Sequence, residues 1–267
     1  MLRRAMPTPN ESAVNEPLRL CVWSGPRNVS TALMYAFAQR SDTKVLDEPL
    51  YGHYLRTSGS GHPGRDEVLA ALDNDGERVV REVILGPCER PILFVKQMAH
   101  HLLGLDWAFL ARTVNVLLIR DPAEMLTSLV NQLPEPTLRD TGLGLQVDLL
   151  RHQQALGQHP PVIDAREILL DPEGVLRTLC ERLGIAFDRG MLEWSAGPRP
   201  EDGVWARHWY DNVHRSTGFA PYRPKNQAVP PRLAELHAQC QRCYDELFDH
   251  AIRADASKQA RVPVRGE

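Results

Sequence analysis

Apolar and β-branched residues gather in short runs at 20–23 (LCVW), 44–47 (KVLD), 92–96 (ILFVK) and 114–119 (VNVLLI), with a weaker run at 161–165 (PVIDA). Each is shorter than a buried helix and predicts a strand. Between them, apolar positions recur at helical spacing. Asp121-Pro122-Ala123-Glu124 supplies an N-cap, a first-turn proline and an acidic third residue, and Asp171-Pro172-Glu173 nearly repeats the device. The helix after Asp171 is predicted to stop near Gly184. Strands alternating with helices predict an α/β fold with a mainly parallel central sheet, which binds ligands at the carboxyl ends of its strands. Arg27, Glu48, Lys96 and Arg120 all stand at such ends.

The first strand runs into SGPRNVST (24–31) and then into the helix-like ALMYAFAQ. The opening N–H groups of a helix lack intrahelical partners and carry the positive end of its dipole, so this turn suits a phosphate or sulfate. An ordinary strand-to-helix turn capped by Ser30 reads the same residues without a ligand.

The chain has 267 residues, 43% of them hydrophobic, which fits one large domain. Its formal net charge of −3 gives no global attraction to nucleic acid or anionic membranes, so an anion site has to be made by local basic groups. No apolar stretch reaches the length of a membrane span, and no apolar segment follows the two arginines near the start. The five scattered cysteines fit a reducing compartment, and a cytoplasmic protein is expected. Cys240 and Cys243 form a C-x-x-C inside a helix-like segment with no second pair at zinc spacing, so helix packing explains them better than metal or redox chemistry. The expected organisation is a loose tail over 1–17, one domain over 18–253 and a polar tail over 254–267. Segments 56–65 and 195–204 are expected to be loops able to fold over a ligand.

A nucleoside-triphosphate loop of the G-x-x-x-x-G-K-[ST] type places its lysine directly before the hydroxyl residue. Here the second glycine and the lysine are missing, and Arg27 precedes Ser30 by three residues. No strand ends in an unambiguous magnesium carboxylate.

The sequence resembles the sulfotransferases that use 3'-phosphoadenosine 5'-phosphosulfate, a family with a three-layer, P-loop NTPase-like α/β fold. Two elements carry the resemblance. Arg27-Asn28-Val29-Ser30-Thr31, preceded by Gly25-Pro26, is similar to the family's strand-loop-helix that grips the 5'-phosphosulfate. LLIRDPAEMLTS is similar to its strand ending in arginine, with a serine eight residues later, which grips the 3'-phosphate; it gives Arg120 and Ser128. VIDAREILLDPEGVLRTLCERLGIAF (162–187) resembles the family's late strand and helix. The likeness spans roughly residues 18–250 and implies the phosphosulfate nucleotide as co-substrate, a small-molecule hydroxyl or amine as acceptor, and no metal. Asn28-Val29 replaces the common Ser-Gly of the loop and resembles a bacterial branch of the family.

A donor anionic at both ends needs two cationic, hydroxyl-bearing pockets. In-line transfer also needs cations on the leaving phosphate, for which Arg27 is the first candidate and Lys96 the second. Glu48, in VLDEPLY where Pro49 turns the chain, is the first candidate for the base, with Asp47 competing and a pairing with Arg27 as the bland alternative. Relatives place a histidine base two residues after a lysine; that position is Met98, while His100 and His101 follow it. The Trp/His/Arg-rich stretch 203–219 suits either an adenine platform or core packing. The rival readings are an ATP-dependent P-loop kinase and a nucleotide-binding relative without catalysis. The loops expected to line the acceptor pocket, 50–66 and 132–146, carry no recognisable chemistry, and the sequence does not address oligomeric state.

Overall fold

A computed structural model describes residues 16–225, 227–255 and 257. Most of the tails expected over 1–17 and 254–267 lies outside the described residues. Six parallel strands form one sheet in the order β2-β3-β1-β4-β5-β6. They are β1 (Leu18–Ser24), β2 (Thr43–Asp47), β3 (Ile92–Met98), β4 (Val114–Ile119), β5 (Val162–Asp164) and β6 (Ala251–Ile252). The five apolar runs are the first five strands. β6 has two residues between a polar helix end and a charged segment, too short for a hydrophobic pattern to mark it.

Alternation along β1 separates the two faces of the sheet. Cys21 and Trp23 point into one core, with Leu93, Val95, Leu117 and Ile119 of the neighbouring strands. Leu20 and Val22 point into the other, with Phe94, Val116 and Leu118. The first core is covered by helices α3 (Pro122–Leu129), α4 (Leu143–Ala155) and α6 (Ala234–Phe248). The second is covered by α1 (Ser30–Ala38) and α5 (Pro172–Arg182). This gives three layers, as the chain pattern requires of a sheet buried on both faces. Cys240 is buried in the first core and Cys243 packs against it, a packing role for the C-x-x-C.

The start and stop signals work as written. Asp121 Oδ1 accepts from the N–H groups of Ala123 at 2.9 Å and Glu124 at 3.1 Å. Asp171 Oδ1 accepts from Gly174 N–H at 3.2 Å. After α5, Gly184 takes φ 69° and its N–H reaches the Glu181 carbonyl at 3.0 Å, while Ile185 N–H reaches that of Cys180 at 3.0 Å. These two bonds close the helix in the glycine-dependent left-handed manner.

β1 lies between β3 and β4, so the chain crosses to one side for β2 and to the other for β4. Loops leaving the carboxyl ends of β1 and β4 diverge there, opening a crevice. Gly25 sits at its floor, where a Cβ would stand 2.5 Å from the Thr141 carbonyl, so only glycine lets the loop come this close to the turn before α4.

Candidate active site

The loop after β1 enters α1 through Val29, the residue preceding the first helical turn, and no side chain caps the helix. Ser30 is the first helical residue, not the cap. The hydrogen-bond ladder opens with Leu33 N–H on the Val29 carbonyl at 2.9 Å, so the N–H groups of Ser30, Thr31 and Ala32 have no partner within the helix. Asn28 braces the loop: its Nδ2 donates to the Leu118 carbonyl at 3.1 Å and its Oδ1 accepts from Val29 N–H at 2.8 Å.

Both anion elements of the sequence meet at this mouth. Arg27 Nε donates to Ser128 Oγ at 3.0 Å. Arg120 follows β4, donating through one terminal nitrogen to the Arg27 carbonyl and through the other to Glu124 Oε2 at 3.1 Å. Its Nε is buried without a partner among the described residues. Tyr222 hydroxyl donates to the other Glu124 oxygen at 2.7 Å, and Lys225 stands close enough for Arg120 and Arg27 to depress its pKa, an effect second to its own burial. Burial likewise lowers the pKa of Arg27, helped by the charge of Arg120. After burial, Arg120 is the like charge felt by both Arg27 and Lys225, and Glu124 is the one carboxylate bonded to Arg120 among the described residues. A multiply charged anion fits that imbalance and the orphaned Arg120 Nε. The sequence reading assigned Arg27 to one end of a nucleotide and Arg120 with Ser128 to the other; in the structure the three residues adjoin. Lys225 and Tyr222 were missed, although the basic run YRPK was there to be read.

Lys96 lies inside β3 and is buried, with its strand continuing two residues further. Its Nζ contacts Asp47 Oδ1 at 2.8 Å, Glu48 Oε1 at 2.5 Å and the Tyr210 hydroxyl at 2.6 Å. Burial alone would lower the lysine pKa, but the carboxylates of Asp47 and Glu48 outweigh it and hold the ammonium well above its ordinary range. Burial pushes Glu48 up from the usual carboxylate range, against the pull of Lys96. Glu48 pairs with Lys96, not with Arg27.

Arg27 at φ 56° and Glu48 at φ 43° are the two non-glycine residues with positive φ among the described residues. Left-handed backbone costs an ordinary residue roughly 1–2 kcal/mol and persists where its surroundings over-determine it, often at working sites. Glu48 is held there by its N–H on the Lys96 carbonyl at 2.9 Å and by its own carbonyl, which accepts from Tyr51 N–H at 2.9 Å.

The histidines divide. His100 is buried against the Tyr54 ring, with centroids 4.6 Å apart, and burial drops its pKa to about 3. Such a ring is a feeble proton acceptor. His101 stacks on Tyr51 at 5.0 Å and turns Nε2 toward Glu48 Oε2 at 3.8 Å; burial keeps it neutral too. Met98, at the place relatives give to a histidine, ends β3.

Segment 203–219 does not lie free over the crevice. Trp205 and Tyr210 are buried with Tyr51, Tyr54 and Leu55 of α2 (Tyr51–Ser58), which follows Glu48. Asp202 accepts from the Tyr35 hydroxyl at 2.6 Å and lies 2.8 Å from His214 Nε2, binding the segment to α1. Loop 195–204 thus fastens this cover to the sheet.

Among the described residues no group of three or more His, Cys, Asp or Glu has the geometry to hold a metal ion, and no helix is long and apolar enough to cross a membrane.

A parallel sheet with a basic crevice beside its central strand, flanked by a buried lysine and carboxylates, is a P-loop-like α/β fold. Residues 18–234 match the family model described as a sulfotransferase domain, and the chain belongs to that family. It is 42% identical over 242 residues to branched-chain-amino-acid aminotransferase-like protein 2 of Arabidopsis thaliana, covering 90% of this chain and 43% of that protein. It is 40% identical over 249 residues to protein 1 of the same name and organism, covering 93% of this chain and 45% of the relative. The chain spans less than half the length of these curated relatives. Among solved structures, the sulfotransferase from Alicyclobacillus acidocaldarius aligns over 91% of this chain and 98% of its own, at 12% identity and a TM-score of 0.51, a likeness of fold.

Proposed function

We propose that this chain transfers a sulfuryl group from 3'-phosphoadenosine 5'-phosphosulfate to a hydroxyl or amine of a small molecule. The observation that carries the reading is the convergence of Arg27, Arg120, Lys225 and Ser128 at the mouth of α1, with more positive charge than the protein itself balances. Both ends of the donor are anionic. Its 3'-phosphate matches Arg120, Ser128 and Lys225 beside β4, and its 5' end matches the free N–H groups of the first turn of α1. In this reading the sulfuryl end lies on the side of Glu48, which follows β2, two strands and about 10 Å from β1.

In this reading the acceptor oxygen or nitrogen attacks sulfur in line and its proton passes to Glu48 Oε2. The bond between sulfur and the bridging oxygen breaks, and the electron pair stays on the leaving phosphate as adenosine 3',5'-bisphosphate. Arg27 and the helix N-terminus stabilise that developing charge. Because burial raises its pKa, Glu48 is a stronger proton acceptor than an exposed carboxylate, provided the pH is high enough to ionise it.

Thermal denaturation tests the nucleotide assignment. Adenosine 3',5'-bisphosphate at about 100 times its Kd should stabilise the folded chain by roughly 2.7 kcal/mol without magnesium, and ATP with magnesium should do much less. A larger shift with magnesium-ATP would replace the sulfotransferase reading with a kinase.

A further inference from the structure

An ammonium has three N–H bonds to give. Those of Lys96 are matched by three oxygens, of Asp47, Glu48 and Tyr210, at 2.5 to 2.8 Å. None is left for a sulfuryl group in this arrangement, so the charge of Lys96 acts on the carboxylates. The Tyr210 hydroxyl is equally committed: it accepts from Lys96 and from Trp205 Nε1 at 3.1 Å, and donates to Asp47 Oδ2 at 2.7 Å. Gly203 N–H adds a weaker bond to the same Asp47 oxygen at 3.3 Å. The assembly reaches Glu48 through one oxygen. Oε1 is tied to Lys96, while Oε2 stands 3.8 Å from His101 Nε2.

We infer that Tyr210 is a positioning residue for proton transfer, locking Lys96 and Asp47 so that Glu48 keeps Oε1 fixed and presents Oε2 to the acceptor. The aromatic-rich late segment then serves to carry this phenol onto the end of β3, 114 residues from Lys96 in sequence. The inference rests on the reading of Glu48 as the base.

The groups facing this centre are Asp47 at the end of β2, Lys96 on β3, His101 in the turn after β3, Tyr51 on the helix after Glu48, Tyr210 on the late segment and Tyr35 of α1, which feels the Asp47 charge. Two carboxylates share one ammonium among neutral histidines and phenols. Removing the Tyr210 hydroxyl takes a donor from Asp47, whose carboxylate then competes harder for Lys96. Glu48 loses part of that ammonium and holds its proton to higher pH.

The test is the pH profile of Tyr210→Phe, read as adenosine 3',5'-bisphosphate released from the phosphosulfate donor with water or a panel phenol as acceptor. The acid limb of kcat should move up by about one pH unit, the effect of one charge-assisted hydrogen bond, so that turnover at pH below the wild-type limb falls about tenfold. Affinity for adenosine 3',5'-bisphosphate should match the wild type. An unchanged acid limb and kcat would overturn the role. If Tyr210→Phe binds no nucleotide, Trp205→Phe carries the test by removing one N–H from the same phenol oxygen: a smaller shift in the same direction supports the role, and an unmoved limb rejects it. Glu48→Gln run in parallel separates the two claims. If it keeps full turnover the reading of the base fails, whereas its loss beside an unaltered Tyr210→Phe defeats only the positioning role.

Discussion

Arg27 Nε donates to Ser128 Oγ at 3.0 Å, joining the loop after β1 to the penultimate residue of α3 across 101 positions of sequence. The bond makes one continuous basic surface of two motifs that sequence spacing presents as separate. A nucleotide bound there is gripped by both elements at once, so losing either should weaken the whole grip.

Arg120→Ala removes two terminal donors and the unpartnered Nε from that surface. Its affinity for adenosine 3',5'-bisphosphate should fall by about 1.5–3 kcal/mol, the worth of a hydrogen bond to a charged group, or roughly ten- to 150-fold in Kd. Calorimetric titration measures it. Normal binding by this variant would reduce Arg120 to a partner of Glu124.

Lys96→Met leaves Asp47 and Glu48 side by side and buried with no cation between them. Removing one partner from a buried charged network costs about 3–5 kcal/mol, and urea denaturation should show a loss of that order. Stability within 1 kcal/mol of wild type, on the order of an ordinary surface change, would mean that the carboxylates are hydrated and the network is looser than drawn.

Asp164, at the end of β5, gives a pH signature outside the crevice. Burial raises its pKa from 3.8 to about 6, opposed by the N–H groups of Glu167 and Arg166 and by the Tyr244 hydroxyl. The folded state therefore binds this proton more tightly than the unfolded chain. Relative to pH below about 4, where both states are protonated, its contribution to stability falls as pH climbs and levels off above about 6, up to about 3 kcal/mol lower. Asn at this position keeps an oxygen for the Arg166 N–H and cannot ionise. Melting temperatures of Asp164→Asn and wild type should diverge in the variant's favour between pH 4 and 7; a constant difference would contradict the assignment.

Much of the fold was legible because its evidence is local. VNVLLI is β4 residue for residue, and Asp121-Pro122 starts its helix by chemistry contained within four residues. Arg27, Glu48, Lys96 and Arg120 could be picked out because parallel strands bring their carboxyl ends together. Tyr210 could not, since Lys96 and Asp47 lie 114 and 163 positions away and only the folded sheet brings them to it; for Lys225 the sequence shows the basic run but not its approach to Arg120. For the same reason, spacing named both histidines without showing that His101 faces Glu48 while His100 is turned against Tyr54.

Release of adenosine 3',5'-bisphosphate from the phosphosulfate donor in metal-free buffer, compared between wild type and Glu48→Gln, bears on the whole account. The glutamine keeps the size of the side chain and an oxygen for Lys96 but cannot take a proton. Wild type should release the bisphosphate above the buffer rate, and faster with an accepted phenol, alcohol or amine; Glu48→Gln should bind the product normally and turn over about 10²- to 10⁴-fold more slowly. Release by wild type at no more than the buffer rate, or equal turnover by the two proteins, would contradict it.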